Sequence, residues 1–188
     1  MATKGEINRQ RIISTADDLF YRQGYDHTSF TDIADAAEIA RGNFYYYYKS
    51  KDEILSEVIK KRGDDIKHML NEWDQDLPEP RDRLKRYVSI LTKSEDEIQH
   101  YGCPMGSLCT ELAKLRHGLQ DTANDLLDIF HDWLVTQFSL LGHKADANEL
   151  ALHLMARLQG ISLITNAYQD TTFLKREADG LMQWVEQL

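Results

Sequence analysis

The sequence predicts an all-α protein of about nine helices, and three observations support this prediction. Apolar residues recur at helical spacing along nearly the whole chain, no stretch alternates as a strand does, and only three of 188 residues are proline. With 42% hydrophobic and 28% charged residues, the composition is typical of a folded domain. No apolar run reaches the ~18 residues of a membrane span, and the amino terminus lacks the apolar region of a signal peptide. We therefore expect a cytoplasmic protein.

Three short helices are predicted within the first fifty residues. The first ends at Gly24, a typical C-terminal stop, and the second begins in the Thr/Ser-rich stretch 28–32, which offers an N-cap. The third covers about 41–47. Three helices of this length, the last two joined by a tight turn, are typical of a helix-turn-helix unit.

Six longer helices follow. The first of them begins at Ser50, with Glu53 three residues on in capping-box order, and runs to about residue 75, before Pro78. The next spans about 84–98, and Pro104 opens the sixth helix of the chain, which ends before Gly118. The last three are predicted over 119–141, from 146 onward, and over 172–188.

The third helix presents a polar surface opposite its buried side. If Phe44 points inward, Tyr48 falls beside it at 100° per residue, whereas four consecutive tyrosines span too wide an arc to be buried together. A small, aromatic and basic surface of this kind suits close approach to DNA. The outward residues are Gly42, Asn43, Tyr45, Tyr46 and Lys49.

The net charge of −9 conceals an asymmetry along the chain. Residues 1–62 carry equal numbers of basic and acidic side chains, so the whole negative charge belongs to residues 63–188. Residues 39–51 contain three basic residues and no acidic one. Because the local field matters more than the total when a surface meets phosphate, the acidic total does not exclude DNA binding.

The motifs Gly24-Tyr25, Thr28 to Ala34 and Arg41 to Lys51 resemble the DNA-binding domain of the tetracycline-repressor (TetR) family. The resemblance implies a homodimeric transcription regulator, usually a repressor, that binds palindromic operators in double-stranded DNA and releases them on binding a small ligand. It implies DNA binding by residues 1–52 and ligand binding with dimerisation by residues 53–188. It also implies that Thr28 and Ser29 cap the second helix and touch phosphate, that Arg41, Tyr46, Tyr47 and Lys51 contact the DNA backbone, and that Gly42, Asn43 and Tyr45 lie nearest the base edges.

The carboxy-terminal part is rich in large apolar side chains that either form ordinary core or line a pocket for an apolar or aromatic ligand. The family resemblance favours a cavity. The residues assigned to such a pocket are Met69, Trp73, Tyr101, Cys103, Met105, Phe130 and Trp133.

Cys103 supports an alternative function. It precedes Pro104 at a predicted helix N-terminus, where the helix dipole favours thiolate, and this would suit a repressor that senses electrophiles or oxidants. An inert structural thiol is the competing interpretation. No zinc-ligand spacing, phosphate loop or catalytic arrangement occurs, so we expect no metal, no cofactor and no enzymatic activity.

The last two helices are the candidate dimer interface. A dimer is expected because two reading helices about 34–36 Å apart can enter successive major grooves. A monomer would cover these apolar residues with its own helices. A helical protein-interaction module that does not bind DNA is the remaining rival. The residues assigned to the interface are Ala151, Met155, Leu158, Ser162, Leu181 and Val185.

Overall fold

A computed structural model describes residues 3–188, apart from the Arg41 side chain, and this part of the chain is helical without any strand. It confirms the all-α prediction. Its helices are α1 (Lys4–Gln23), α2 (Phe30–Ala36), α3 (Arg41–Tyr47), α4 (Lys51–Asp76), α5 (Pro80–Val88), α6 (Ile90–Lys93), α7 (Glu95–Tyr101), α8 (Pro104–Leu115), α9 (Gln120–Leu140), α10 (Ala147–Tyr168) and α11 (Thr171–Glu186).

The predicted fifth helix is divided into α5, α6 and α7, so eleven helical segments correspond to the nine that were expected. The interruptions fall at Ser89 and Ser94. The Ser89 hydroxyl donates to the carbonyl of Arg86 at 2.6 Å, and the Thr92 hydroxyl donates to the carbonyl of Ser89 at 3.2 Å. A hydroxyl group that bonds to a nearby carbonyl competes with the helical ladder, which accounts for the interruption at Ser89.

Helix ends follow local chemistry that the sequence makes visible. Gly24 ends α1 with a φ of +88°, a conformation that other residues rarely adopt. Ser29 caps α2, Ser50 accepts the N–H of Glu53 at the start of α4, and Pro104 opens α8 as predicted. Asp170 caps α11 by accepting the N–H of Phe173 at 3.0 Å.

The chain forms two compact units, and the first comprises residues 3–64 and 107–125. Within it α1 packs on α2, and α2 packs on α3. The core of this unit is apolar, with Ile12, Ala16, Phe20, Ile33, Phe44, Ile54, Leu55, Val58, Leu108 and Leu112 all buried. Residues 107–125 belong to this unit because they pack with it. The division of function after residue 52 stays a prediction.

The second unit comprises residues 65–106 and 126–188. Here α11 packs against α5, α6, α7 and α10, and α10 also packs against α7. Its core includes Leu84, Leu91, Leu134, Phe138, Leu154, Leu174, Leu181 and Val185. Among the described residues, no helix combines the length and the apolar character that crossing a bilayer requires.

Candidate nucleic-acid interface

Helix α3 buries one side and exposes the other, in the orientation predicted from its periodicity. Phe44 is fully buried and Tyr48 is buried beside it, whereas Tyr45 is 56% exposed and Tyr46 is 79% exposed. A Cβ added at Gly42 would meet no atom within 4 Å, so this side of the helix is open. The exposed surface consists of Gly42, Asn43, Tyr45, Tyr46 and Lys49. The side chain of Arg41 lies outside the described part of the structure.

Aromatic contacts fix α3 against α2. The ring of Phe30 meets the ring of Phe44 edge-on at 4.7 Å between centroids, and it lies 5.1 Å from the ring of Tyr45. Edge-to-face pairs of this kind favour a defined mutual orientation. Tyr45 is therefore supported on one side while its other side remains exposed.

The expectation that Thr28 caps α2 and touches phosphate is wrong. Its side chain is fully buried, its hydroxyl donates to the carbonyl of Gly24 at 2.7 Å, and it accepts from the Gln23 amide at 3.2 Å. The turn after Gly24 brings the hydroxyl back onto the end of α1, so Thr28 neither caps α2 nor reaches phosphate. Ser29 is the cap, and it is exposed.

Ser29 and Asp32 form a reciprocal capping box. The Ser29 hydroxyl accepts the N–H of Asp32 at 3.0 Å, and the Asp32 carboxylate accepts the N–H of Ser29 at 2.8 Å. The backbone hydrogen bond from Ser29, with a smaller contribution from its hydroxyl, lowers the pKa of Asp32 from its usual value. The box fixes where α2 begins.

The two lysines assigned to DNA differ in their freedom. Lys49 is exposed, and its ammonium donates to the carbonyl of Tyr45 one turn earlier, at 2.5 Å. Lys51 donates to the carbonyl of Tyr25 at 2.7 Å, with its nitrogen 4.0 Å from the centre of the Tyr25 ring. Because an ammonium has three N–H donors, Lys51 keeps donors for a phosphate while its position is fixed.

Helix α1 contributes polar groups that sequence reasoning missed. The Asn8 amide donates to the Tyr47 hydroxyl at 2.8 Å, and the Arg11 guanidinium donates to the Asn8 carbonyl at 3.2 Å. Arg9 lies 5.4 Å from the centre of the Tyr48 ring. Burial raises the pKa of Tyr48, and a hydrogen bond from Arg9 partly opposes this effect. The polar residues of α1 are visible in the sequence, but nothing in the sequence places them beside α3.

A buried tyrosine ties the turn after α1 to other parts of the first unit. The Tyr25 hydroxyl donates to the Asp52 carboxylate in a very short hydrogen bond, and a His117 ring nitrogen lies 3.2 Å from the same hydroxyl. Burial, followed by the Asp52 carboxylate, raises the pKa of Tyr25. Glu111 accepts the backbone N–H groups of Tyr25 and Asp26 at 3.0 and 2.9 Å. These bonds hold the turn that precedes the helix-turn-helix pair.

The second unit brings three of the residues assigned to a ligand pocket into one aromatic cluster. Trp73 and Trp133 meet edge-on at 5.8 Å, and Tyr87 lies 5.4 Å from Phe130 and 6.4 Å from Trp133. Tyr87 was missed as a site residue, and its burial raises its pKa. The Trp133 indole donates to the Asp74 carboxylate at 3.1 Å. The remaining assigned residues, Met69, Tyr101, Cys103 and Met105, are half-buried.

Cys103 has hydrogen-bond donors on two sides. Its sulfur accepts the backbone N–H of Gly106 at 3.5 Å and the Gln159 amide at 3.4 Å. A Cβ at Gly106 would lie 2.3 Å from the Gln159 side-chain oxygen, so the glycine allows this approach. Within residues 3–188 no group of three His, Cys, Asp or Glu residues could hold a metal ion.

The candidate dimer residues require a correction. Five of the six lie buried within the chain itself, where they form part of its own core: Ala151, Leu158, Ser162, Leu181 and Val185. Met155 is half-buried. The opposite side of α10 is exposed, and it carries Leu152, Ala156, Gly160, Leu163 and Ala167, which we name the outer stripe.

A short helix pair that exposes a polar and basic surface from a three-helix unit defines a helix-turn-helix protein. Residues 12–58 match the model of the bacterial regulatory proteins of the tetR family. A helix-turn-helix transcriptional regulator from the lacX 3′ region of Lactococcus lactis subsp. lactis is 30% identical over 175 residues, which cover 91% of this chain and 89% of that protein. The chain therefore belongs to the TetR family of transcriptional regulators, which are not enzymes.

A second relative is a transcriptional repressor, and a solved structure shares the fold. The transcriptional repressor DhaR of Mycobacterium sp. strain GP1 is 27% identical over 128 residues, 67% of this chain and 61% of that protein. The fold matches the crystal structure of a TetR transcriptional regulator from Legionella pneumophila with a TM-score of 0.81 and 23% identity, over 100% of this chain and 97% of that one.

Proposed function

We propose that this regulator is a repressor that binds a palindromic operator as a homodimer and releases it on binding a small apolar or aromatic molecule. The observation that carries the proposal is the exposed polar and basic surface of α3, which rests on the fully buried Phe44. Residues 1–52 act as the DNA-binding domain, and residues 53–188 bind the ligand and the second copy.

The exposed groups divide by chemistry into those that read bases and those that grip the DNA backbone. Asn43 has an amide that pairs with adenine edges, and Tyr45 and the open surface at Gly42 lie beside it. Hydroxyl and ammonium groups donate to phosphate oxygens and so set the register of the helix on the duplex. The proposed backbone contacts are Ser29, Arg41, Tyr46, Tyr47, Lys49 and Lys51.

The outer stripe of α10 supports a dimer. Leu163 is 66% exposed and Leu152 is 52% exposed, although both are large apolar residues. At 100° per residue the five residues of the outer stripe fall within about 80° of arc, so they form one continuous surface. A Cβ at Gly160 would meet no atom within 4 Å, which leaves room for the backbone of a second copy.

The ligand class follows from the aromatic cluster of the second unit. Trp73, Trp133 and Phe130 are buried in the core of the second unit, so the proposed ligand would have to displace part of this cluster. Large apolar rings favour an apolar or aromatic molecule, and the Asp74 carboxylate beside the Trp133 indole is a polar group to orient it. Repression is supported by the relative DhaR, which is a transcriptional repressor.

The DNA proposal is tested by selection from a pool of random 30-base-pair duplexes with the full chain. We expect an enriched palindrome, and light scattering of the complex should give two chains per duplex. As a control, Asn43→Ala should lose the sequence preference while it keeps binding to unrelated duplex at low salt. Enrichment of no sequence, or a single chain on each duplex, would overturn the proposal.

The ligand proposal is tested by a thermal-shift screen of metabolites and drugs, followed by tryptophan fluorescence. A compound that binds at the cluster should change the emission of Trp73 and Trp133, so the double variant Trp73→Phe/Trp133→Phe should lose the change and Trp184→Phe should keep it. The same compound should release the selected duplex. Compounds that stabilise the protein equally in the wild type and in Trp133→Phe would place the ligand elsewhere.

A second candidate function is electrophile sensing by Cys103, and the two N–H donors on its sulfur favour it. With N-ethylmaleimide, the sulfur would form a bond to one carbon of the C=C double bond, the π bond would break, and the thiol proton would end on the other carbon. The buried Cys109, whose thiol donates to the carbonyl of Ala123 at 3.2 Å, is replaced by serine so that one thiol remains. Labelling of Cys109→Ser should release the selected duplex. Unchanged affinity after complete labelling, or an absence of labelling, would remove this candidate.

A further inference from the structure

Asn8 on α1 connects an arginine to the last residue of α3. Its side-chain nitrogen donates to the Tyr47 hydroxyl oxygen at 2.8 Å, and its side-chain oxygen accepts from the Arg11 guanidinium at 3.2 Å. Asn8 and Tyr47 are both half-buried, whereas Arg11 is exposed. The three groups form a row that begins at Arg11 and ends at the Tyr47 hydroxyl.

The chemistry of the row determines which way each hydrogen bond runs. A guanidinium only donates, so the Asn8 atom that faces Arg11 must be the amide oxygen. The amide nitrogen is then the atom that faces Tyr47, and the hydroxyl oxygen accepts its hydrogen. The Tyr47 hydrogen is not used in this bond, and within the described residues Asn8 is the hydrogen-bond partner of this hydroxyl.

We propose that Asn8 is a positioning residue for DNA binding, which keeps the hydroxyl hydrogen of Tyr47 available for a backbone phosphate. Phosphate oxygens only accept hydrogen bonds, so a tyrosine can hold one only by donating. The Asn8 donor occupies the accepting side of the hydroxyl and polarises its O–H bond, which strengthens that donation. This inference rests on the proposed contact between Tyr47 and the DNA backbone.

The surrounding charge suits a phosphate at this place. Arg9 and Arg11 are both exposed on α1, and Arg9 approaches the ring of Tyr48, the residue that follows Tyr47. The nearby acid Glu6 is engaged by the backbone N–H of Thr3 at the helix start. Exposed cations on the helix that carries Asn8 attract the DNA backbone.

The test compares operator affinities of four proteins on a duplex recovered by the selection described above: the wild type, Asn8→Ala, Tyr47→Phe and the double variant. We expect Tyr47→Phe to weaken binding about tenfold and Asn8→Ala to weaken it about threefold to tenfold. The double variant should bind as Tyr47→Phe does, because Asn8 acts only through the hydroxyl. If Asn8→Ala weakens binding equally in both backgrounds, the proposal is overturned.

Asn8→Asp gives a sharper test with nearly unchanged shape. Its carboxylate would accept the Tyr47 hydrogen and so remove it from the phosphate. The added negative charge also repels DNA, and the same substitution in the Tyr47→Phe background measures that repulsion alone. Asn8→Asp should therefore cost more affinity with Tyr47 present than with phenylalanine there. Equal losses would contradict a role for the hydroxyl hydrogen.

A readout without DNA separates this inference from the proposed function. In nuclear magnetic resonance spectra of the free protein, the side-chain amide signals of Asn8 should move in Tyr47→Phe, and melting temperatures of all variants should stay close to that of the wild type. Unmoved Asn8 signals would overturn the inference whatever the protein binds. If the Asn8 signals move but the wild-type protein enriches no duplex, the proposed function is overturned. The role of Asn8 in DNA binding then falls with it.

Discussion

The carboxylate of Glu111 accepts the backbone N–H of Tyr25 at 3.0 Å, although 86 residues separate the two in the chain. Its second oxygen accepts the N–H of Asp26 at 2.9 Å. The approach depends on Gly24, because a Cβ there would lie 2.9 Å from the carboxylate. Glu111 thereby supplies the acceptors for two backbone N–H groups of the turn just before α2 begins.

Replacement of Glu111 by glutamine should destabilise the first unit. The amide keeps one acceptor, but its NH₂ group faces a backbone N–H, so one donor of the turn loses its partner. Loss of such a bond costs about 1–3 kcal/mol. We expect a lower free energy of unfolding in urea for Glu111→Gln. Glu57→Gln, at an exposed position of α4, should change it by less than about 0.5 kcal/mol. Equal effects of the two substitutions would show that the carboxylate does not hold the turn.

Gly24→Ala should be more destabilising than Gly142→Ala. Both glycines have a positive φ, +88° and +103°, so alanine is strained at each position. Only Gly24 has the Glu111 carboxylate in the way, since a Cβ at Gly142 would meet nothing within 4 Å. The difference between the two free energies of unfolding combines the displacement of Glu111 with any difference in backbone strain. In a Glu111→Ala background the difference should shrink, and its persistence would rule out the clash.

The sequence predicted the features that depend on local chemistry. The spacing of Phe44 and Tyr48 gave the buried side of α3, and the glycine at 24 and the proline at 104 gave helix ends. It failed at Thr28. Threonine is a residue type that often caps helices, but the turn directs this hydroxyl to the carbonyl of Gly24. The interruption at Ser89 also depended on a hydroxyl–carbonyl bond that helix propensity does not register.

The contacts between distant segments could not be predicted from one sequence. Asn8 meets Tyr47 across 39 residues, and no periodicity relates them. The two sides of α10 presented a different difficulty, because both are apolar: Leu158 faces the core, while Leu163 is exposed. A helix with apolar residues on two sides gives no clear pattern by which its core side and its partner side can be distinguished.

The capping box of α2 should give a pH dependence that is visible at one carboxyl group. Hydrogen bonds from Ser29 lower the pKa of Asp32, so the stabilisation is complete above the unfolded pKa and is lost as the pH falls through the folded one. Ser29→Ala keeps the backbone N–H, which has the larger effect, so carbon-detected titration should show the pKa of Asp32 raised only part of the way towards its usual value of about 4. Ser14→Ala on the exposed side of α1 should leave the titration of Asp32 as it is in the wild type. If the pKa of Asp32 is the same in Ser29→Ala as in the wild type, the capping box is contradicted.

Lys49→Ala should weaken DNA binding in a salt-dependent manner. A lysine that neutralises one phosphate contributes about one unit to the slope of log affinity against log salt. We expect the slope to fall by about one per subunit, with the preferred sequence unchanged. Lys60→Ala removes an equally exposed charge on α4 and should leave the slope unchanged. If both variants share the wild-type slope, Lys49 does not contact phosphate.

Leu163→Glu should dissociate the proposed dimer. In a two-fold symmetric interface each residue occurs twice, so one substitution places two carboxylates against apolar surface. Burial of an exposed leucine contributes about 1.5–3 kcal/mol, and this gain is lost at both copies. Light scattering should therefore report single chains for Leu163→Glu and for Leu152→Glu. Leu140→Glu changes an equally exposed leucine of α9 outside the outer stripe, and it should leave the dimer intact. Dissociation by Leu140→Glu with an intact dimer in Leu163→Glu would move the interface away from α10.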